Sequence, residues 1–185
     1  NDIIKLFFTN DDQLISLNAK TGEPIKNFGQ KGIAEIGSSP ITPTIIDDQL
    51  VLGTTRPAIE VYDIQSGKLK WKYYLRKIDK GVLNSRDFKS GNPWGGISSD
   101  SKNGIVYLTT GNAIPYLVGV TRPGKNLYSD SIIAFDVRNK KMLWYFQETC
   151  HDIWNFDIPA PPIVTTIIKN GMRIDVIVAL TKLGN

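Results

Sequence analysis

Three stretches share one pattern, an apolar run closed by Asp or Asn and then a tight turn: Leu14-Ile15-Ser16-Leu17-Asn18-Ala19-Lys20-Thr21-Gly22-Glu23, Ile59-Glu60-Val61-Tyr62-Asp63-Ile64-Gln65-Ser66-Gly67-Lys68 and Ile132-Ile133-Ala134-Phe135-Asp136-Val137-Arg138-Asn139-Lys140-Lys141. Each reads as an inner strand ending at an Asx side chain able to bond nearby backbone amides. Gly then takes positive φ in the turn. Trp71 and Trp144 stand at the same place after the second and third turns, where the first has Lys26 and, slightly later, Phe28. An aromatic there packs on the next strand.

Another strand pair is predicted around each unit. Pro43-Thr44-Ile45-Ile46 and Gln49-Leu50-Val51-Leu52-Gly53 flank Asp47-Asp48, and Gly95-Gly96-Ile97-Ser98 and Gly104-Ile105-Val106-Tyr107-Leu108 flank Asp100-Ser101-Lys102-Asn103. Past the third copy, residues 162–168 and 173–180 flank Asn170-Gly171, a strong hairpin signal. Each unit therefore reads as four short antiparallel strands, and nothing shows helical periodicity. Asn18 and Asp63 lie about 45 residues apart, the length of a propeller blade, and Asp63 and Asp136 about 73, a blade carrying insertions. The excess fits residues 77–92 and 113–130, rich in Gly, Pro, Asn and charge; long insertions on a rigid scaffold usually serve function. The expected fold is all-β, a partial β-propeller: a partial blade over 1–36, a blade over 37–77, a blade with insertions over 78–148, and a site loop with a partial blade over 149–185. Such units need neighbours on both sides, so the open edges of an isolated arc should be sticky.

Length and composition narrow the options. With 185 residues and 41% hydrophobic content the chain can bury a core. Its net charge of +4 is scattered; Lys68-Leu69-Lys70-Trp71-Lys72 with Arg76-Lys77 alternates like the solvent face of a strand, so no nucleic-acid partner is expected. One cysteine, Cys150, excludes an intrachain disulfide, and Cys/His spacing for structural zinc is absent. No apolar run approaches the roughly 18 residues of a membrane helix, and Asn1-Asp2-Ile3 is no signal peptide. The expectation is a stretch that begins inside a longer chain.

The densest chemistry lies in His151-Asp152-Ile153-Trp154-Asn155-Phe156-Asp157-Ile158-Pro159, closed by Ala160-Pro161-Pro162. Polar and aromatic side chains between rigid strands mark a binding or catalytic loop. His151, the only histidine, is read as structural, orienting Asp152 or solvated. Cys150 is read as a small buried residue rather than a nucleophile.

Gly91-Asn92-Pro93-Trp94-Gly95-Gly96, Thr110-Gly111-Asn112, His151-Asp152-Ile153-Trp154 and Thr181-Lys182-Leu183-Gly184-Asn185, in that order, resemble the pyrroloquinoline-quinone (PQQ) dependent dehydrogenases. Phe28-Gly29-Gln30-Lys31-Gly32 and the run from Asp152 to Pro162 look closest to the membrane-bound glucose dehydrogenase branch. The likeness covers essentially the whole chain. It implies an eight-bladed propeller holding PQQ on its axis over Ca²⁺ or Mg²⁺, oxidation of a sugar or alcohol in the periplasm, and electron transfer to a quinone or cytochrome; an anchoring segment of the parent protein would lie outside these residues.

Carried over residue by residue, the resemblance makes Trp94 the flat support under the quinone, where without it the residue would read as a core aromatic. Asn112 becomes a carbonyl ligand of the metal, a role compatible with turn chemistry. Lys182, otherwise a solvated lysine, becomes the cation that stabilises charge on the quinone oxygens and is counted as both cofactor-binding and catalytic. The family pattern His-Asp-x-Trp-Asp ends in the general base, and here that position is Asn155, whose amide cannot accept a proton at neutral pH. Asn155 is left facing the metal. If Trp154 and Phe156 pack inward, strand alternation puts Asp157 beside Asn155 and Asp152 opposite, making Asp157 the stand-in base. A second departure is the loop Thr54-Thr55-Arg56-Pro57-Ala58, where the family often carries a metal-binding carboxylate and this chain has no acid before Glu60. Both departures admit a competing reading, a non-catalytic PQQ-like propeller used as a binding scaffold.

Overall fold

The computed structural model describes residues 3–75 and 90–184, so most of the first insertion, residues 77–92, lies outside the described residues, as do Arg76 and Asn185. Among the described residues there are thirteen strands and no helix: β1 (Lys5–Asn10), β2 (Gln13–Asn18), β3 (Ile33–Glu35), β4 (Thr44–Ile46), β5 (Gln49–Thr54), β6 (Ala58–Asp63), β7 (Leu69–Tyr74), β8 (Ile97–Asp100), β9 (Ile105–Thr109), β10 (Ser131–Asp136), β11 (Lys141–Gln147), β12 (Ile163–Lys169) and β13 (Met172–Val178). They form antiparallel sheets ordered β1-β2-β3, β4-β5-β6-β7, β8-β9-β10-β11 and β12-β13. This is the expected arc of antiparallel propeller blades.

The turns follow from their residues. Asn170 and Gly171 both take positive φ (52° and 73°), the geometry a two-residue hairpin needs between β12 and β13. Asp63 Oδ1 accepts the Ser66 amide at 2.7 Å, Asp136 Oδ1 the Asn139 amide at 2.9 Å, and Asn18 Oδ1 the Lys20 amide at 2.9 Å, which is the Asx chemistry read from the sequence.

The core lies between sheets, not within them. Leu50 and Leu52 of β5 pack with Leu14, Phe28 and Ala34 of the first sheet region, whereas Val51 joins Val106, Leu108, Ile133 and Phe135 of the third sheet. Alternate residues of one strand thus bury opposite faces, so β5 reads as a nearly continuous apolar run. Trp71 stacks on Phe135 across the sheet boundary (centroids 5.8 Å, planes 26° apart), and Tyr73 meets the same ring edge-on at 4.8 Å. Trp144 behaves differently: it is 43% exposed and touches Tyr107 of its own sheet.

Besides their own sheet partners, β4 contacts β8 and β8 contacts β12. The leading strands of successive sheets are therefore side by side on the inner face of the arc. From this the direction of every connection follows. The turns after β4, β6, β8, β10 and β12 fall at one end. The β5–β6, β9–β10 and β11–β12 connections, with the segments before β8 and after β13, fall at the other.

Candidate active site

That second end collects every residue singled out from the sequence: Trp94 just before β8, Asn112 just after β9, Asn155 and Asp157 between β11 and β12, and Lys182 after β13. A cavity of about 200 Å³ opens there, with Thr55, Trp94, Asn112, Tyr116, Asn155 and Asp157 among its lining residues.

The backbone crossings that form its wall depend on glycine. A Cβ on Gly91 would come within 1.7 Å of Gly111 O, and one on Gly111 within 2.6 Å of Trp94 Nε1. The indole thus lies against bare main chain while remaining 37% exposed. Asn112 is only 1% exposed, yet neither its amide oxygen nor its amide nitrogen has a hydrogen-bond partner. Buried amides are almost always satisfied, so Asn112 keeps both a donor and an acceptor free for a water, an ion or a ligand. The Lys182 ammonium bonds the buried Asp157 carboxylate through Oδ1, donates to the Asn155 carbonyl at 3.1 Å, and stands 6.0 Å from the centroid of the Trp94 ring.

The stretch from His151 to Pro162 corrects several expectations. It contains no strand, and Asn155 has φ of 67°, so the alternation argument does not apply. Trp154 does not pack inward but is 64% exposed. Asp152 organises the loop instead: buried, it accepts the Trp154 amide at 2.8 Å on Oδ1 and the Phe156 amide at 2.6 Å on Oδ2. Both Asp152 and Asp157 are buried, and only Asp157 lines the cavity. His151 does not orient Asp152; its Nδ1 lies 3.0 Å from Gly124 O and so ties the loop to the second insertion. Cys150 is exposed rather than buried.

Comparison with known proteins decides the family. The model of the PQQ glucose/ethanol/alcohol dehydrogenase β-propeller domain matches residues 3–185. The chain belongs to this family. The quinoprotein glucose dehydrogenase of Escherichia coli (strain K12) is 30% identical over 95% of this chain and 25% of its own length. The quinate/shikimate dehydrogenase (quinone) of Acinetobacter baylyi is 29% identical over the same shares. The chain spans about a quarter of the length of these curated relatives. Among solved structures, the quinohemoprotein alcohol dehydrogenase from Comamonas testosteroni superposes with a TM-score of 0.78 at 24% identity, over 96% of this chain and 31% of its own, a likeness in fold.

The residues present fit the cofactor better than the metal. For PQQ there is a half-exposed indole beside a cavity with a lysine ammonium over it. For a hard cation, the orphaned Asn112 Oδ1 is a suitable donor, with Asn155 on the same cavity wall, but Asp157 already carries Lys182. The β5–β6 turn contributes Thr55 and no acid. Glu60, the next carboxylate along the chain, is committed elsewhere: it is buried, 2.6 Å from Lys72 Nζ, accepts the Tyr62 hydroxyl, and accepts the Gly37 amide at 3.0 Å. Burial pushes its pKa up, but these partners outweigh that and hold it below the ordinary range. Among the described residues, no three His, Cys, Asp or Glu side chains gather to hold a metal. A full coordination shell would draw on oxygens beyond these residues.

Three residues near the site escaped sequence reasoning: Arg122, Asp130 and Tyr116. Arg122, fully buried, donates from Nε to Pro115 O (2.9 Å), from Nη1 to Asn126 Oδ1 (2.6 Å), and from Nη2 to Tyr116 O (2.8 Å) and to Asp152 O, clamping the second insertion onto the site loop. Asp130 is also fully buried, and neither carboxylate oxygen has a partner; the nearby Ser129 hydroxyl donates to Asn126 O. Burial first, then the charge of Asp152 and, less, that of Asp157, raise the Asp130 pKa to about 7, against lowering by Ser129 and, least, by Arg122. Tyr116, within an insertion flagged as functional, had a signal in its position after Asn112.

Proposed function

We propose that the whole protein is a periplasmic quinoprotein dehydrogenase that takes PQQ with Ca²⁺ or Mg²⁺ at this site, oxidises a sugar or alcohol hydroxyl, and passes the electrons to a quinone or cytochrome. The observation that carries this reading is that Trp94 and the orphaned Asn112 line one cavity, with the Lys182 ammonium over the Trp94 ring, in a chain of this family. When bound, the quinone supplies the two-electron acceptor. Trp94 offers a flat π surface to a planar ring. Lys182 brings positive charge to an acceptor that gains electron density, and Asn112 with Asn155 offers amide oxygens to the cation. Asn155 cannot take the proton of the substrate hydroxyl, and Asp157, the carboxylate among the cavity's lining residues, already holds the Lys182 ammonium. The amide at Asn155 and the acid-free β5–β6 turn favour the second reading, a binding scaffold without catalysis.

The test is a dye-linked oxidation assay on the whole protein reconstituted with PQQ and either cation, against a panel of aldoses and alcohols, beside Asn155→Asp. Turnover is expected in the wild type, and a faster chemical step in the variant, within the factor of about 10²–10⁴ that a general base supplies. Activity in the variant alone would mean a cofactor pocket that has lost its base. No turnover in either, with no PQQ binding, would leave the scaffold reading. The 185 residues by themselves are expected to be inactive, because a central site needs walls from the remaining blades.

A further inference from the structure

Lysine carries its ammonium on a flexible four-carbon stem, so where the charge stands is set by what holds its head. Here two oxygens hold it, both from the β11–β12 loop: the Asp157 carboxylate and the Asn155 carbonyl, 3.1 Å from Nζ. The Asp157 side chain is buried, whereas that of Lys182 is about one-third exposed, so the carboxylate is the fixed partner. The result is an ammonium 6.0 Å from the Trp94 ring centroid before any ligand arrives. Asn155 takes part through its main chain, turned by its positive φ, which leaves its side-chain amide a separate role on the cavity wall.

From this geometry we infer that Asp157 is a positioning residue: it anchors the Lys182 ammonium over Trp94 and thereby sets the charge that a quinone meets on binding, rather than standing in for the missing base. The inference rests on the PQQ reading for its consequence but not for its geometry. A carboxylate that acts as base must be open to the substrate hydroxyl, whereas Asp157 already has the lysine on it. Its removal leaves Lys182 with one neutral acceptor and the whole span of its stem to explore.

The test is a double-mutant cycle on PQQ affinity, measured calorimetrically in the whole protein with Ca²⁺ present, over wild type, Asp157→Asn, Lys182→Met and the double variant, with Asp157→Glu as the conservative control. Asp157→Asn is expected to weaken PQQ binding about tenfold or more in the wild-type background and less than about twofold in the Lys182→Met background, because the two act as one unit. Asp157→Glu should recover part of the loss. An equal loss in both backgrounds, or unchanged affinity with abolished turnover, would overturn the inference, the second outcome returning Asp157 to the role of base. Crystal structures of the apo wild type and Asp157→Asn read the same point without cofactor. Lys182 should be ordered over Trp94 in the first and displaced in the second; an undisplaced lysine contradicts the inference. If PQQ binds none of the proteins but the lysine moves, the cofactor reading fails while the positioning role stands. Should Asp157→Asn fail to fold, Asp157→Glu and Lys182→Met carry the same comparison.

Discussion

Replacing Phe135 by alanine is expected to destabilise the protein by about 3–5 kcal/mol, the usual cost of truncating a buried aromatic. Phe135 is fully buried, yet it does not serve its own sheet alone. It faces Trp71 at 5.8 Å and Tyr73 at 4.8 Å, both on β7 of the preceding sheet, within a cluster that also holds Val51, Val61, Val106 and Ile133. The cavity left behind would open at the seam between two blades, where neither sheet can collapse alone, so relaxation recovers little. Phe146 on β11 is 59% exposed and serves as the control, with an expected cost below about 1 kcal/mol. Urea unfolding of the whole protein followed by tryptophan fluorescence reports on this seam, since Trp71 lies in it. Equal losses at the two positions would mean that the seam between blades is not where the core sits.

The second large effect is a gain. Asp130→Asn is expected to stabilise the protein at alkaline pH, by up to about 4 kcal/mol, and to change little near pH 4. The figure is the rise from the ordinary value of 3.8 to about 7, taken at 1.36 kcal/mol per unit as an upper bound. The sign follows from where the proton is held. With its pKa raised in the folded state, Asp130 binds more proton when native than when unfolded between pH 3.8 and about 7. Stability therefore falls as pH rises through that window and stays reduced above it. This is the reverse of Glu60, whose lowered pKa gives stability that is present above the ordinary range and lost as pH falls through the folded value. The cause is structural, a buried carboxylate with both oxygens unpartnered beside Asp152 and Asp157. Asparagine keeps the shape and removes the charge. Unfolding midpoints of wild type and variant between pH 4 and pH 9 should diverge as pH rises; a pH-independent gap, or a variant less stable at pH 9, would contradict this account.

Much of the architecture was legible because its determinants are local. Apolar runs with Asx or Asn-Gly turns fix strands and hairpins through φ preferences and side-chain-to-backbone bonds that need no distant partner, as at Asn18, Asp63 and Asn170-Gly171. Trp94, Asn112 and Lys182 were legible only as parts of an ordered set of motifs; in the structure Trp94 and Asn112 line one cavity and Lys182 stands over the Trp94 ring. What sequence reading missed depends on long-range burial. Thr121-Arg122-Pro123-Gly124 has the composition of a surface turn, and only the folded chain shows Arg122 closed in by carbonyls from Pro115, Tyr116 and Asp152. Asp130 lies between serines in what reads as loop, and only the folded chain shows it fully buried. The alternation argument for Asn155 failed for a physical reason. Asp152 caps the Trp154 and Phe156 amides that a strand ladder would have used, and the Pro159-Ala160-Pro161-Pro162 run has few amides to offer.

The most direct test of the central claim is a calorimetric titration of PQQ into the whole apo-protein with Ca²⁺ present, for wild type and for Trp94→Ala. The account predicts saturable binding of one PQQ per chain, weakened about tenfold or more when the indole is removed. Absence of binding, or binding indifferent to Trp94, would contradict it.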